Sequence, residues 1–169
     1  CAFMSSFNKA KYFFSYFLFS LGFVNGAVLA DNLVILLFFW EGLLLSIFGL
    51  IAIGNKDAFR TAVKALIIVG VTDLCMMVGI AITGNMAGTF AISKISLPLG
   101  GLSSLAFILL VIGAISKAGS MPFHSWIPDA AGDAPLPFMA FMPASLEKLL
   151  GIYLLARLSL DLFQLDPGS

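Results

Sequence analysis

The sequence predicts an all-α, polytopic membrane protein with about five transmembrane helices. Of its 169 residues, 60% are hydrophobic, and the mean hydropathy is +1.06. Charged residues make up only 11% of the chain, against about 25% in soluble domains. A bilayer core is crossed by roughly 20 apolar residues in a helix. Five apolar runs approach or exceed that length, at residues 12–30, 33–53, 61–82, 102–127 and 137–158.

Short polar breaks separate the first three runs and predict tight turns between helices. Asp31 and Asn32 divide the first run from the second, and the sequence Gly-Asn-Lys-Asp at 54–57 introduces the third. Residues 83–100 contain Gly and Ser, which indicates a longer connector before the fourth run. The chain is therefore expected to form a single membrane domain over residues 1–169.

The fourth run is predicted to be a broken helix. Gly119 and Pro122 follow Lys117 almost at once, and proline removes a backbone donor and clashes with the preceding turn. Non-helical backbone at membrane depth is tolerated only inside protein or beside a wet cavity. We therefore expect a break near Lys117–Pro122 that leaves Lys117 close to the middle of the membrane.

Basic residues outside the apolar runs predict the orientation of the chain. Positive charge accumulates on the cytoplasmic side of membrane proteins. Four basic residues fall on the side of the N-terminus and two on the other, which predicts a cytoplasmic N-terminus: Lys9, Lys11, Lys56 and Arg60 against Lys94 and Arg157.

Three charged residues interrupt the predicted helices where a charge is most costly. Glu41 lies in the middle of the second helix, Lys117 at the break of the fourth, and Lys148 within the fifth. A charge at the centre of a membrane helix costs roughly 2.5–3.5 kcal/mol on insertion scales, and ion or proton paths are the default reason to retain one. We interpret all three as candidates for proton translocation.

Each of these residues also has a structural interpretation. Glu41 is either a carboxylate paired with a lysine only to hold helices together, or a proton acceptor. In the second case, burial and a lysine partner shift its pKa in opposite directions. Lys117 and Lys148 lie many residues from the nearest helix end, which argues against snorkelling. Glu147 directly precedes Lys148 and points about 100° away on a helix, so a path is expected to use one of the two.

Three further polar residues are weaker candidates. Lys64 and Asp73 are nine residues apart in the third helix, which places them on opposite faces. Lys64 is near enough to the helix end to reach water, so its structural and functional interpretations remain equally open, whereas the deeper Asp73 is a functional candidate. His124 is interpreted as a hydrogen-bonded loop residue, with proton shuttling as the alternative.

Several classes of function have no support in the sequence. Cys1 and Cys75 form no metal-ligand or redox spacing, so we expect neither a cofactor nor a metal. Zero net charge and the absence of a basic run argue against nucleic-acid binding. A small-solute transporter would need a cavity with convergent polar groups, for which too few polar side chains are present.

Three motifs resemble a known family. Residues 117–130 read KAGSMPFHSWIPDA, followed by APLP at 134–137 and GIYLLAR at 151–157. They are similar to the antiporter-like, proton-translocating subunits of respiratory complex I, of Mrp cation/proton antiporters and of energy-converting membrane-bound hydrogenases. The resemblance covers nearly the whole chain. It implies one five-helix half-channel repeat of a longer subunit, present as a fragment or a split version, and the turn at 166–169 suits a chain that continues.

The resemblance also implies roles for individual residues. Glu41 and Lys117 match the pair of charges whose opening and closing is thought to gate proton movement, and Lys148 resembles the next lysine of the path. Two departures from the family pattern concern that last step: the corresponding lysine usually lies one residue closer to Gly151, and relatives often carry a histidine where this chain has residues 142–144.

The leading hypothesis is therefore proton translocation, with sodium as an alternative or linked ion, by a subunit without redox chemistry of its own. The expected partners are the lipid bilayer and other membrane subunits of a large complex, including a redox module or further antiporter subunits. The expected location is a prokaryotic cytoplasmic membrane, or an organellar inner membrane. The second hypothesis is a non-conducting structural or assembly subunit of such a complex.

Overall fold

The computed structural model describes residues 9–164 and confirms an all-α membrane protein. Cys1 and the expected turn at 166–169 lie outside the described residues. Within that range, four helices are long and apolar enough to cross a membrane, and a fifth apolar helix is shorter. They are α1 (Ala10–Leu29), α2 (Leu33–Ala52), α3 (Ala58–Ala87), α4 (Leu102–Lys117, the shorter one) and the last helix, Leu136–Leu162.

The last helix is not regular along its length. It begins as a short α-helix, passes through a π-helical turn into a second α-helix, and ends in another π-helical turn. Within residues 9–164, a further short helix and two 3₁₀ turns lie in the connectors, and two short parallel strands pair with each other. Their bounds are Ile92–Lys94 (3₁₀), Leu97–Pro98 (β1), Phe123–Ser125 (3₁₀), Trp126–Asp133 (α5), Leu136–Phe141 (α6), Met142–Leu146 (π), Glu147–Arg157 (α7), Leu158–Leu162 (π) and Phe163–Gln164 (β2).

The helices form one bundle with α3 and α4 at its centre. α3 packs against both α2 and α4, α1 lies on the outer side of α2, and α7 packs against α4. Large apolar side chains such as Leu18, Leu45 and Ile67 are exposed on the outside of the bundle. An apolar exterior around a packed interior is what a bilayer requires, so the bundle is an integral membrane domain.

Asparagine side chains accept hydrogen bonds from backbone N–H groups at the start of two helices. The Oδ1 atom of Asn32 accepts hydrogen bonds from the backbone N–H groups of residues 34 and 35, at 2.9 and 3.4 Å. Asn55 does the same for residues 57 and 58, at 2.9 and 3.1 Å. The first turn of a helix leaves such N–H groups without partners. With these bonds in place, α3 begins at Ala58, three residues before the predicted start at residue 61.

α3 also continues beyond its expected end at residue 82, as far as Ala87. Thr83 is buried, and its hydroxyl donates to the carbonyl oxygen of Gly79 at 2.8 Å. This bond satisfies the polar side chain within the helix itself. The polar composition of residues 83–87 therefore does not end the helix, and the connector before α4 is shorter than expected.

The expected break of the fourth helix is confirmed. α4 ends at Lys117, and Gly119 adopts a left-handed conformation with φ +68°. The N–H of Gly119 donates to the Ser116 carbonyl at 2.9 Å, and that of Ser120 donates to the Ile115 carbonyl at 3.0 Å. This is the hydrogen-bond pattern that terminates helices at a glycine. The chain then resumes as a 3₁₀ turn and α5.

The two ends of the bundle carry different polar contacts. At one end, Lys9 donates to the Ile53 carbonyl at 3.3 Å. At the other, Asp31 accepts from the hydroxyl and the backbone N–H of Ser93, at 2.7 and 2.9 Å. These two hydrogen bonds lower the pKa of the Asp31 carboxyl. Which end faces the cytoplasm stays a prediction.

Candidate functional site

A buried ion pair between Asp73 and Lys117 lies at the centre of the bundle. The Nζ atom of Lys117 is 3.2 Å from Oδ2 of Asp73, and the two side chains are 0% and 2% exposed. Asp73 is in the middle of α3, and Lys117 is the last residue of α4. Removing two charges from water costs several kcal/mol per ion, so a buried pair persists only with good geometry and further hydrogen bonds.

Trp40 supplies further contacts to both members of the pair. Its Nε1–H donates to Oδ1 of Asp73 at 2.9 Å. The Lys117 ammonium donates to the Trp40 carbonyl at 3.4 Å and lies 5.0 Å from the centroid of its ring. The negative face of an aromatic ring attracts a cation, most strongly in a desolvated site. Trp40 thus stabilises the carboxylate through its N–H group and the ammonium through its ring and carbonyl.

A pair of hydroxyl groups lies immediately before the two charges in sequence. Thr72 donates to the Ser116 hydroxyl at 2.7 Å, and both residues are buried. Each one directly precedes a member of the ion pair, so α3 and α4 are joined by two successive polar contacts. Sequence reasoning missed Trp40, Thr72 and Ser116. The sequence does contain a signal for Thr72 and Ser116, because each is a small hydroxyl residue directly before an intramembrane charge.

Glu41 does not pair with Lys117, contrary to the implication of the family resemblance. It is half-buried and lines a crevice of about 460 Å³ beside Phe23 and Phe38, and it forms no salt bridge among residues 9–164. Neighbouring helix residues point about 100° apart, and it is Trp40 that faces the interior. Asp73 occupies the position next to Lys117 that Glu41 was expected to take.

Glu147 and Lys148 have opposite environments. Glu147 is 1% exposed, and neither carboxylate oxygen has a hydrogen-bond partner among the described residues. Lys148 is exposed and lines a small cavity beside Ala118 and Gly119. The charged residue of this helix that points into the bundle is therefore Glu147, whereas the resemblance implied Lys148.

Lys64 and His124 lie outside the central pair. The Lys64 ammonium contacts Asp129 at 2.7 Å and donates to the Ser125 carbonyl at 2.9 Å, with about half of both ionic side chains covered. His124 is in the 3₁₀ turn after the break, and its buried Nδ1 has no partner within residues 9–164. It therefore differs from the hydrogen-bonded loop histidine that we expected. Lys64 attaches the segment after the break to α3.

A second set of contacts attaches the end of α5 to the start of α3. Asp133 accepts from the Thr61 hydroxyl at 2.6 Å and from the Asn55 side chain at 3.0 Å. These two hydrogen bonds, that from Thr61 first, lower the pKa of the Asp133 carboxyl. Together with Lys64 and Asp129, they hold α5 in place on the far side of the broken backbone.

The arrangement can exchange a proton or move a charge, and it offers little for binding a metal ion. Within residues 9–164, no three His, Cys, Asp or Glu side chains are grouped so that they could hold one. The central pair instead combines a lysine at the end of a helix with a carboxylate on a neighbouring helix. The ammonium lies directly before the left-handed turn at Gly119, so a rearrangement of that turn would change its partners.

Comparison with known proteins agrees with this fold. The sequence is 34% identical over 163 residues to a Na⁺/H⁺ antiporter subunit of Staphylococcus epidermidis, covering 92% of this chain and 20% of the relative. It is 36% identical over 154 residues to a Na⁺/H⁺ antiporter subunit of Alkalihalophilus pseudofirmus, covering 87% and 19%. The chain thus spans about a fifth of the length of these relatives.

A solved structure and a family profile complete the comparison. A chain of respiratory complex I from Thermus thermophilus superposes with a TM-score of 0.77 at 25% identity, over 86% of this chain and 33% of that one. The profile of the transmembrane family described as NADH:quinone oxidoreductase/Mrp antiporter matches residues 30–167. That match covers most of the chain and confirms the resemblance inferred from its motifs. The chain belongs to the NADH:quinone oxidoreductase/Mrp antiporter transmembrane family.

Proposed function

We propose that this chain forms an ion-translocating half-channel in an antiporter-like subunit, with the proton as the transported ion. The observation that carries the proposal is the buried Asp73–Lys117 pair at the end of a broken helix. Intramembrane charges of this kind are expensive, and they are retained mainly where an ion path needs them. A broken helix with a charge at the break is also a recurring element of transporters.

The position of Lys117 supports a role in moving charge. It is the last helical residue before the left-handed turn at Gly119, so a small rearrangement of that turn would redirect its side chain. Glu41 lies next to Trp40 in the crevice on the α1 side of the bundle. We propose that ions pass between Glu41 and the central pair when Lys117 leaves Asp73.

The relatives support an assembly with other membrane subunits. Two are described as subunits of Na⁺/H⁺ antiporters, and one structural match comes from respiratory complex I. We propose that this subunit works in such a complex, with no redox chemistry of its own, in a prokaryotic cytoplasmic membrane with the N-terminus inside. The driving force would come from a redox partner or from the gradient of another ion.

A structural role is the second candidate, because a buried ion pair can also serve to connect two helices. In that case the Asp73–Lys117 pair would serve only to hold α3 and α4 together.

Ion uptake by the reconstituted complex distinguishes the two candidates. The native complex carrying Lys117→Met is placed in liposomes, and proton uptake is followed with a pH-sensitive dye and sodium uptake with ²²Na⁺. Lys56→Met, a change of an exposed lysine in the turn before α3, is the matched control. Loss of uptake in Lys117→Met alone, with unchanged content of partner subunits, supports translocation. Normal uptake in that variant would identify the chain as a scaffold.

A further inference from the structure

Glu147 is a buried carboxyl group that no contact among the described residues explains. It is the first residue of α7, it is 1% exposed, and both of its oxygens lack a hydrogen-bond partner within residues 9–164. Burying a polar group without a partner is costly, and burying an unpaired charge is far more so. Such a group in a native interior calls for an explanation, and a chemical role is one of the few that apply.

The local sequence directs this side chain towards α4. A π-helical turn over Met142–Leu146 precedes Glu147, and such a turn contains one residue more than a regular one. Gly151, one turn further along, packs closely on α4: a Cβ atom there would lie 2.5 Å from the Ala114 carbonyl oxygen and 2.7 Å from the Ala118 nitrogen. Residues four apart share a helix face, so Glu147 lies on the face that packs against the end of α4.

The charges of the central pair reach this carboxyl group. Lys117 and Asp73 both act electrostatically on Glu147, and Lys117 sits at the end of α4, with Asp73 and Trp40 on one side and α7 on the other. Two buried carboxyl groups thus lie within electrostatic range of one lysine, and only Asp73 forms a salt bridge with it. If both were ionised, one negative charge would have no partner, and the interior tolerates this only when a proton neutralises it.

The neighbouring lysine is not placed to do the same work. Lys148 is exposed and lines a cavity of about 200 Å³ on the outside of this bundle, beside Ala118 and Gly119. Its direction differs from that of Glu147 by about 100°. The family resemblance implied that Lys148 follows Lys117 in a path. The packing of α7 instead buries the carboxyl group of Glu147 at the end of α4.

We propose that Glu147 is the proton acceptor for Lys117. Glu147 first releases its own proton to the exit side, and the Lys117 side chain, which is hydrogen-bonded to Asp73 in this structure, turns towards it. An N–H bond of the Lys117 ammonium then breaks and an O–H bond forms on the Glu147 carboxylate, so the ammonium becomes an amine and the carboxylate a neutral acid. A proton from the uptake side then restores the ammonium beside Asp73. The inference rests on the proposed translocation and names the group on the exit side of the central pair.

Four variants in the native reconstituted complex test this assignment. Glu147→Gln keeps the shape but cannot accept a proton, so proton uptake falls about tenfold or more, with partner-subunit content unchanged. Glu147→Asp keeps the carboxyl group and restores a measurable part of the rate. Asp161→Asn, which neutralises an exposed carboxylate near the end of the same helix, serves as the control with wild-type uptake. Lys148→Gln decides between the two neighbouring residues and is expected to retain uptake.

The outcomes separate this inference from the proposed function. If Lys117→Met abolishes uptake while Glu147→Gln retains it, the inference is overturned and the proposed function stands. Loss in Lys148→Gln with uptake retained in Glu147→Gln also overturns it. If Glu147→Gln does not assemble, an apolar carbodiimide, which reacts with protonated carboxyl groups, is applied to the wild-type complex. Modification at Glu147 with loss of uptake supports the role, and an unmodified Glu147 in an inhibited complex contradicts it.

Discussion

The Nζ atom of Lys117 and Oδ2 of Asp73 lie 3.2 Å apart in the interior of the bundle, where both side chains are almost completely buried. The pair connects α4 to α3 at the point where α4 ends. Its remaining contacts come from Trp40, whose N–H donates to the same carboxyl group. A charge pair of this kind either stabilises the bundle or moves ions through it, and the two roles make different predictions.

Neutralising Asp73 alone should destabilise the protein more than neutralising both members of the pair. Asp73→Asn leaves the Lys117 ammonium buried without its salt-bridge partner, and removing one member of a buried pair costs about 3–5 kcal/mol. In Asp73→Asn/Lys117→Met no buried charge of the pair remains, and most of that loss is recovered. Thermal unfolding of the purified complex measures both. Equal destabilisation in the single and double variants would contradict the pairing.

The indole N–H of Trp40 should contribute more to the stability of the protein than that of Trp126. Trp40→Phe keeps an aromatic ring beside Lys117 but removes the donor to Asp73, a hydrogen bond to a charged group worth about 1.5–3 kcal/mol. Trp126 is also fully buried, but its N–H has no partner among the described residues. Trp126→Phe is therefore the matched control. The unfolding temperature of Trp40→Phe should be clearly lower than that of Trp126→Phe. The reverse order would argue against the bond.

Gly151 should not tolerate a methyl group. In Gly151→Ala the new Cβ would meet the backbone of α4 at Ala114 and Ala118, so α7 must shift, at a cost of about 1–3 kcal/mol for such overpacking. Gly22 in α1 has no neighbouring atom within 4 Å of the position that a Cβ would take, and Gly22→Ala should be neutral or slightly stabilising. Unfolding temperatures of the two variants provide the comparison. A stable Gly151→Ala protein would contradict the close packing of α7 on α4.

The contact between Asp133 and Thr61 should weaken only in acid. The folded protein lowers the pKa of the Asp133 carboxyl below its ordinary value of 3.8. The stability that the ionised Asp133 carboxylate contributes is therefore complete at pH values well above 3.8. It is lost as the pH falls through the lower pKa of the folded state. The unfolding temperature of Asp133→Asn should lie below that of the wild type at pH 7, and the difference should shrink as the pH falls below 3.8. A constant difference over this range would contradict the prediction.

Much of the fold could be predicted from the sequence because its signals are local. Apolar runs indicate the helices, and Gly119 and Pro122 indicate the break after Lys117. The ends of α3 could not be predicted as well. Hydrogen bonds such as that from Thr83 to the helix backbone keep polar residues helical, and composition alone does not reveal them.

The partners within the site depend on how the helices rotate against each other. Lys117 and Asp73 were recognisable as costly intramembrane charges, but their pairing follows from the packing of α3 on α4. Glu147 and Lys148 differ by one position, and the π-helical turn at Met142–Leu146 contributes to which of them faces inward. Long-range packing of this kind leaves no pattern in a single sequence.

The most direct test of the central claim is proton uptake by the complex carrying Asp73→Asn/Lys117→Met. This double variant removes the buried pair without leaving a lone charge from it, so we expect stability and partner-subunit content close to those of the wild type. If the pair moves protons, uptake is nevertheless lost. Wild-type uptake in a stable double variant would contradict the account and show that the pair only holds α3 and α4 together.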